Sequence, residues 1–202
     1  MTSTNPIYFK QWGTFITTPN VSEDKADVAI STEIINSYDN ERELSLTTIL
    51  YGPLGDEIGR TTKGIVIKPG ETLKINQLLP VQKPQCWSPD SPSLYSARLS
   101  VAENNREIDS ILESFGIRTI SYSAEEGFKL NGNSLLLNGG CIHHDNGPLG
   151  AAAFDRAEIR KVQLMKEAGF NAVRTSHNHP SEVFLHACDS IGLLVIDEAF
   201  DG

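Results

Sequence analysis

From the start of the chain to about Thr119, apolar and polar residues alternate with a period close to two. The runs VAISTEIIN (28–36), LSLTTIL (44–50) and LYSARLSV (94–101) carry this alternation and are rich in β-branched residues, the pattern of half-buried strands. Turn formers separate them: Asp39-Asn40, Gly52-Pro53, Pro69-Gly70 and the proline-rich KPQCWSPDSPS. Strands recurring every ~8–12 residues with no helix between them predict a two-sheet sandwich of the immunoglobulin type over residues 1–119.

Beyond residue 120 the period changes. FKLNGNSLLL sets Asn131-Gly132, the preferred pair for a tight type I′ turn, between two apolar runs and predicts a hairpin. NSLLLNGG reads as a short strand. Asp155 followed by Glu158 resembles a capping box, and Ile159, Val162, Met165 and Ala168 continue at helical spacing until Gly169. FNAVRT is a second strand. Ser181 then caps a helix with Phe184, Ala187, Cys188 and Ile191 on one face, ended by Gly192, and LLVIDEAF is a third, apolar strand. Residues 120–202 are therefore expected to form a hairpin and a β-α-β-α-β stretch of a parallel α/β layer.

Composition narrows the function. Of 202 residues 39% are hydrophobic, enough for a buried core in one large or two small domains. The net charge of −9 argues against nucleic acid or an acidic membrane surface as partner, since both call for clustered Lys and Arg. No run reaches the ~18 apolar residues of a membrane span, and the opening MTSTNPIYFKQWGTF lacks the basic-then-apolar pattern of a secretory signal. Cys86, Cys141 and Cys188 are odd in number and widely spaced, so they read as reduced and mostly buried.

Four of the five histidines lie in two short stretches, GGCIHHDNGPLG (139–150) and RTSHNHP (174–180). In parallel α/β folds chemistry gathers at the carboxyl ends of the strands. His143, His144 and Asp145 follow the first expected strand, Arg174 and His177 the second, Asp197 and Glu198 the third. A lone histidine is most simply a satisfied structural group; polar residues at three successive strand ends favour a site.

The stretches WSPDSPSLY, FGIRTI, LNGNSLLLNGGCIHHDNGPLG and LMKEAGFNAVRTSHNHPSEVFLHACDSIGLLVIDEAFD together resemble glycoside hydrolase family 2, the β-galactosidase and β-glucuronidase group. The resemblance implies an immunoglobulin-like domain followed by the first three strands of a (β/α)8 catalytic barrel, with a β-linked glycoside or oligosaccharide as the substrate of the complete enzyme and no cofactor. It places His143, and the His144-Asp145 pair, against sugar hydroxyls. It sets Arg174 beside the nucleophilic carboxylate, keeping that group ionised. His177 would hydrogen-bond the glycon in the transition state, Asp197 would shape the sugar pocket, and Glu198 would support it. His179 departs from the SHNPP or SHYPN forms and is read as structural.

A retaining glycosidase needs two carboxyl groups ~5–5.5 Å apart. In this family both are glutamates on later barrel strands, the first in an Asn-Glu pair. Asn40-Glu41 falls in a sandwich turn, so no catalytic residue is assigned, and the chain alone is expected to be inactive and to associate through its exposed barrel edge. Two other functions compete. A non-catalytic carbohydrate-binding or interaction module would stack sugars on Trp12, Trp87 or Tyr95, although Trp87 reads better as a packed residue. A metal-dependent hydrolase would draw ligands from His143, His144, Asp145, His177 and His179.

Overall fold

A computed structural model describes residues 4–199. The chain divides into two units, Met1–Gln85 with Leu94–Ile117, and Cys86–Ser93 with Arg118–Gly202. The segment Cys86–Ser93 thus leaves the sandwich strands that flank it in sequence and packs with the second unit.

Seven strands build the first unit: β1 (Ile7–Val21), β2 (Lys25–Asn36), β3 (Arg42–Tyr51), β4 (Glu57–Ile67), β5 (Thr72–Gln82), β6 (Tyr95–Glu103) and β7 (Arg106–Phe115). They form two antiparallel sheets, ordered β1-β2-β5 and β4-β3-β6-β7, an immunoglobulin-like sandwich. Along β2 alternate residues are buried, including Val28, Ile30 and Ile34; Leu46 and Leu50 of β3 and Leu99 of β6 supply the facing layer. The buried Asn36 is satisfied throughout, donating to the carbonyls of Asn40, Ile67 and Lys68 and accepting from the Tyr38 amide. Asn104 and Asn105, both at positive φ, turn β6 into β7.

After Cys86–Ser93, the second unit continues with a small antiparallel ribbon of β8 (Ile120–Ser123), β9 (Gly127–Leu130) and β10 (Asn133–Ser134). Asn131 at φ 51° and Gly132 at φ 78° form the expected turn between β9 and β10. Three parallel strands follow, β11 (Gly139–Ile142), β12 (Ala172–Thr175) and β13 (Leu194–Ile196), in that spatial order. They are connected by α1 (Asp155–Glu167) and α2 (Glu182–Ile191). Val162 of α1, Val173 of β12, Phe184, Ala187 and Cys188 of α2, and Leu193 close the core beneath the sheet.

Four local expectations are corrected. The first parallel strand is GGCI rather than NSLLLNGG; Leu136 is 88% exposed, while β11 begins where glycine allows the backbone of β12 to approach. Asp155 opens no capping box: the N-cap is Phe154 without a side-chain bond, and Glu158 is buried and accepts from Asn146 Nδ2 at 2.8 Å. By contrast Ser181 caps α2 as expected, accepting from the Phe184 amide, and Gly192 ends it at φ 92°. Cys141 is exposed, against the buried reading, whereas Cys188 is buried. Tyr95, at 3% exposure, cannot stack on a ligand, whereas Trp87, at 1%, is packed as expected; Trp12 is exposed.

Candidate active site

The three parallel strands end side by side, and their register sets what their loops can reach. Cys141, Arg174 and Ile196 are lateral neighbours, so residues one to three places further along each chain converge on one rim. Arg174 is the last outwardly accessible residue of β12; its Nε donates to Glu198 Oε1. His177 Nδ1 lies 3.2 Å from the other oxygen of the same carboxylate. Hydrogen bonding to Glu198, reinforced by that group's charge, raises the guanidinium pKa above its ordinary value. Arginine carries five N–H donors in a fixed fork. With Nε committed to Glu198 and Nη1 directed at Cys141 Sγ 3.7 Å away, one face of the group is held while other donors stay available.

A second group is centred on Asp197. Thr175 Oγ1 donates to Asp197 Oδ1 at 3.1 Å and accepts from the Glu198 amide at 3.2 Å, so one buried hydroxyl orients both acidic residues. His179 Nδ1 donates to Asp197 Oδ2 at 2.7 Å. His144 Nε2 bonds the carbonyl of His179, tying the loop after β11 to the loop after β12. His143 lies beside His177, with ring centroids 5.8 Å apart. The peptide between Ser176 and His177 is cis.

Six of the seven residues expected from the sequence, His143, His144, Arg174, His177, Asp197 and Glu198, therefore stand on this rim. Asp145 is placed differently. It lines a cavity of about 560 Å³ beside β11 and α1, together with His143, Arg160, Lys161 and the apolar Ile142, Leu149, Met165 and Phe170. No signal in the sequence assigns Thr175 or Cys141 to the site; a threonine closing a strand carries no sign of the carboxylate it will meet. Among the described residues no three His, Cys, Asp or Glu side chains are grouped so as to hold a metal ion. Likewise, no helix among them is long and apolar enough to cross a membrane.

A sandwich followed by parallel β/α units with a polar rim at the strand ends is the arrangement of an immunoglobulin-like domain leading into a (β/α)8 barrel. Residues 11–118 match the glycosyl hydrolases family 2 domain, and residues 123–201 match the glycosyl hydrolases family 2 TIM barrel domain. The chain belongs to glycosyl hydrolase family 2, as an immunoglobulin-like sandwich and the opening of the barrel. It is 38% identical over 201 residues to the β-galactosidase BoGH2A of Bacteroides ovatus, covering 100% of this chain and 24% of that protein. A putative β-glucuronidase of Formosa agariphila is 36% identical over 98% of this chain and 18% of its own length. Among solved structures, a family 2 member from Bacteroides cellulosilyticus superposes with a TM-score of 0.94 at 47% identity, over 98% of this chain and 26% of that one. The β-glucuronidase of Bacteroides uniformis gives 0.93 at 33% identity over 97% and 24%. The chain thus spans about a quarter or less of the length of these relatives.

Proposed function

We propose that this chain supplies the sugar-gripping side of a retaining β-glycosidase site, of the β-galactosidase type. The observation that carries the reading is the Arg174–Glu198–His177 cluster: Glu198 is already occupied by a guanidinium and an imidazole, so it is built to hold those groups rather than to attack a sugar. Arg174, anchored through Nε, offers its remaining donors to a further carboxylate and would keep a nucleophile ionised. His143 and His177, neighbouring and exposed, suit hydroxyls of a glycon. Asp145, Asp197 and Glu198 take supporting roles, and the attacking and protonating carboxyls come from glutamates outside these residues. The galactoside preference rests on the 38% identity to a β-galactosidase, with β-glucuronides as the competing substrate.

The test is turnover of p-nitrophenyl β-galactoside, β-glucuronide and β-mannoside by a chain carrying a complete barrel. His177→Ala should lower kcat/KM by about 2–4 kcal/mol in transition-state terms, as for other oriented donors to developing charge. Near-normal kinetics would remove His177 from the site. The 202-residue chain itself should show no turnover; steady hydrolysis abolished by His177→Ala would assign the chemistry to Asp145, Asp197 or Glu198 instead.

A further inference from the structure

Within the site, His179 is the residue that the resemblance leaves without a task, yet it is bonded to the ends of both neighbouring loops. Its ring reaches Asp197 beyond β13, and its carbonyl receives His144 from the loop beyond β11. Its side chain is 64% exposed, so no core packing accounts for its position. Chemistry fixes the protons. A carbonyl oxygen only accepts, so the hydrogen on His144 is at Nε2; an ionised carboxylate only accepts, so that on His179 is at Nδ1. Neutral His144 is then left with Nδ1 as an acceptor.

We propose that His179 is a positioning residue that clamps the three loop ends together and, by presenting its carbonyl to His144, holds that imidazole as the Nε2–H tautomer with Nδ1 free to accept a sugar hydroxyl hydrogen. Each oxygen of Asp197 already accepts one hydrogen bond, from Thr175 and from His179, which makes Asp197 the anchor of the clamp. The logic is that of an outer carboxylate fixing the tautomer and orientation of an imidazole. The hydroxyl-binding consequence rests on the glycosidase reading; the clamp does not.

Histidine-selective ¹⁵N NMR of the 202-residue chain, recorded without sugar at about pH 8.5, some two units above the ordinary imidazole value, separates the two. His179 should show the Nδ1–H form, the less favoured tautomer of a free imidazole, and His144 a slowly exchanging Nε2–H. In His179→Ala the His144 signal should be lost to exchange with water. In His179→Asn, whose amide can still donate to Asp197, it should return. An Nε2–H form of His179 in the wild type, or an unchanged His144 signal in His179→Ala, would overturn the clamp. Because no sugar is present, either result leaves the glycoside reading to be judged by turnover.

Discussion

Replacing Trp87 by alanine should unfold the second unit selectively, although Trp87 lies in sequence between two sandwich strands. Its ring is 1% exposed. Its Nε1 donates to the Asp189 carbonyl at 2.7 Å, its own carbonyl accepts from Asn131 Nδ2 at 3.0 Å, and Arg118 lies over the ring 5.0 Å from its centroid. Truncating a buried tryptophan costs about 3–5 kcal/mol in lost transfer energy and cavity. The orphaned Asp189 carbonyl adds about 1 kcal/mol and the lost cation–π contact about 0.5 kcal/mol. Against a domain stability of ~5–15 kcal/mol, such a loss takes most or all of the margin. Trp87→Phe keeps a ring in the pocket and forfeits chiefly the indole donor, so it should cost only about 1–2 kcal/mol. Native-state hydrogen exchange resolves where the loss falls. Protection of the α1 and α2 amides should collapse in Trp87→Ala, while the amides of β2 and β3 keep theirs. A loss below about 1.5 kcal/mol, or collapse of β2 before α2, would refute the packing argument.

Two further perturbations probe the backbone and the buried thiol. A Cβ at Gly139 would lie 1.7 Å from the Ala172 carbonyl oxygen, and one at Gly192, where φ is +92°, would lie 2.2 Å from that of Pro89; neither backbone atom can swing aside. Gly139→Ala and Gly192→Ala should each destabilise the second unit by more than about 2 kcal/mol, seen as a Tm drop of roughly 10 °C, and unchanged melting would contradict the close approaches. Burial, with lesser contributions from Asp189 and Glu158, pushes the Cys188 thiol up from 9.0 to about 12. The unfolded chain therefore loses this proton first, and the thiol's contribution is complete below pH 9 and lost as pH rises toward 12. Between pH 8 and about pH 10 the stability advantage of wild type over Cys188→Ala should shrink by about 1 kcal/mol in urea titrations; a constant difference would show that Cys188 ionises as readily folded as unfolded. In the same protein a water-soluble maleimide should label the exposed Cys141 and spare Cys188.

What could be read from the residues, and what could not, divides by the distance of the partner. The alternation of β2, the Asn131-Gly132 turn and the Ser181 cap are decided by neighbours a few residues away, and all three stand where the pattern put them. So does the gathering of polar side chains at three strand ends, because strand direction alone sends them there. The misplacements arise where a remote group outbids a near one. The run Leu135–Leu137 is more apolar than Gly139–Ile142, yet the latter becomes the strand, since lateral pairing with β12 needs a residue with no side chain at the point of closest approach. Glu158 matches a capping box three residues after Asp155, but Asn146, twelve residues upstream, claims its carboxylate. His179 looks like an idle variation beside His177 until Asp197, eighteen residues on, is seen with its Oδ2 2.7 Å from the His179 Nδ1. A sequence shows which groups arrive at the rim; which carboxylate each imidazole meets is settled only when the strands are laid side by side, and it is on those pairings that the proposed parts of Asp197 as anchor and His179 as clamp rest.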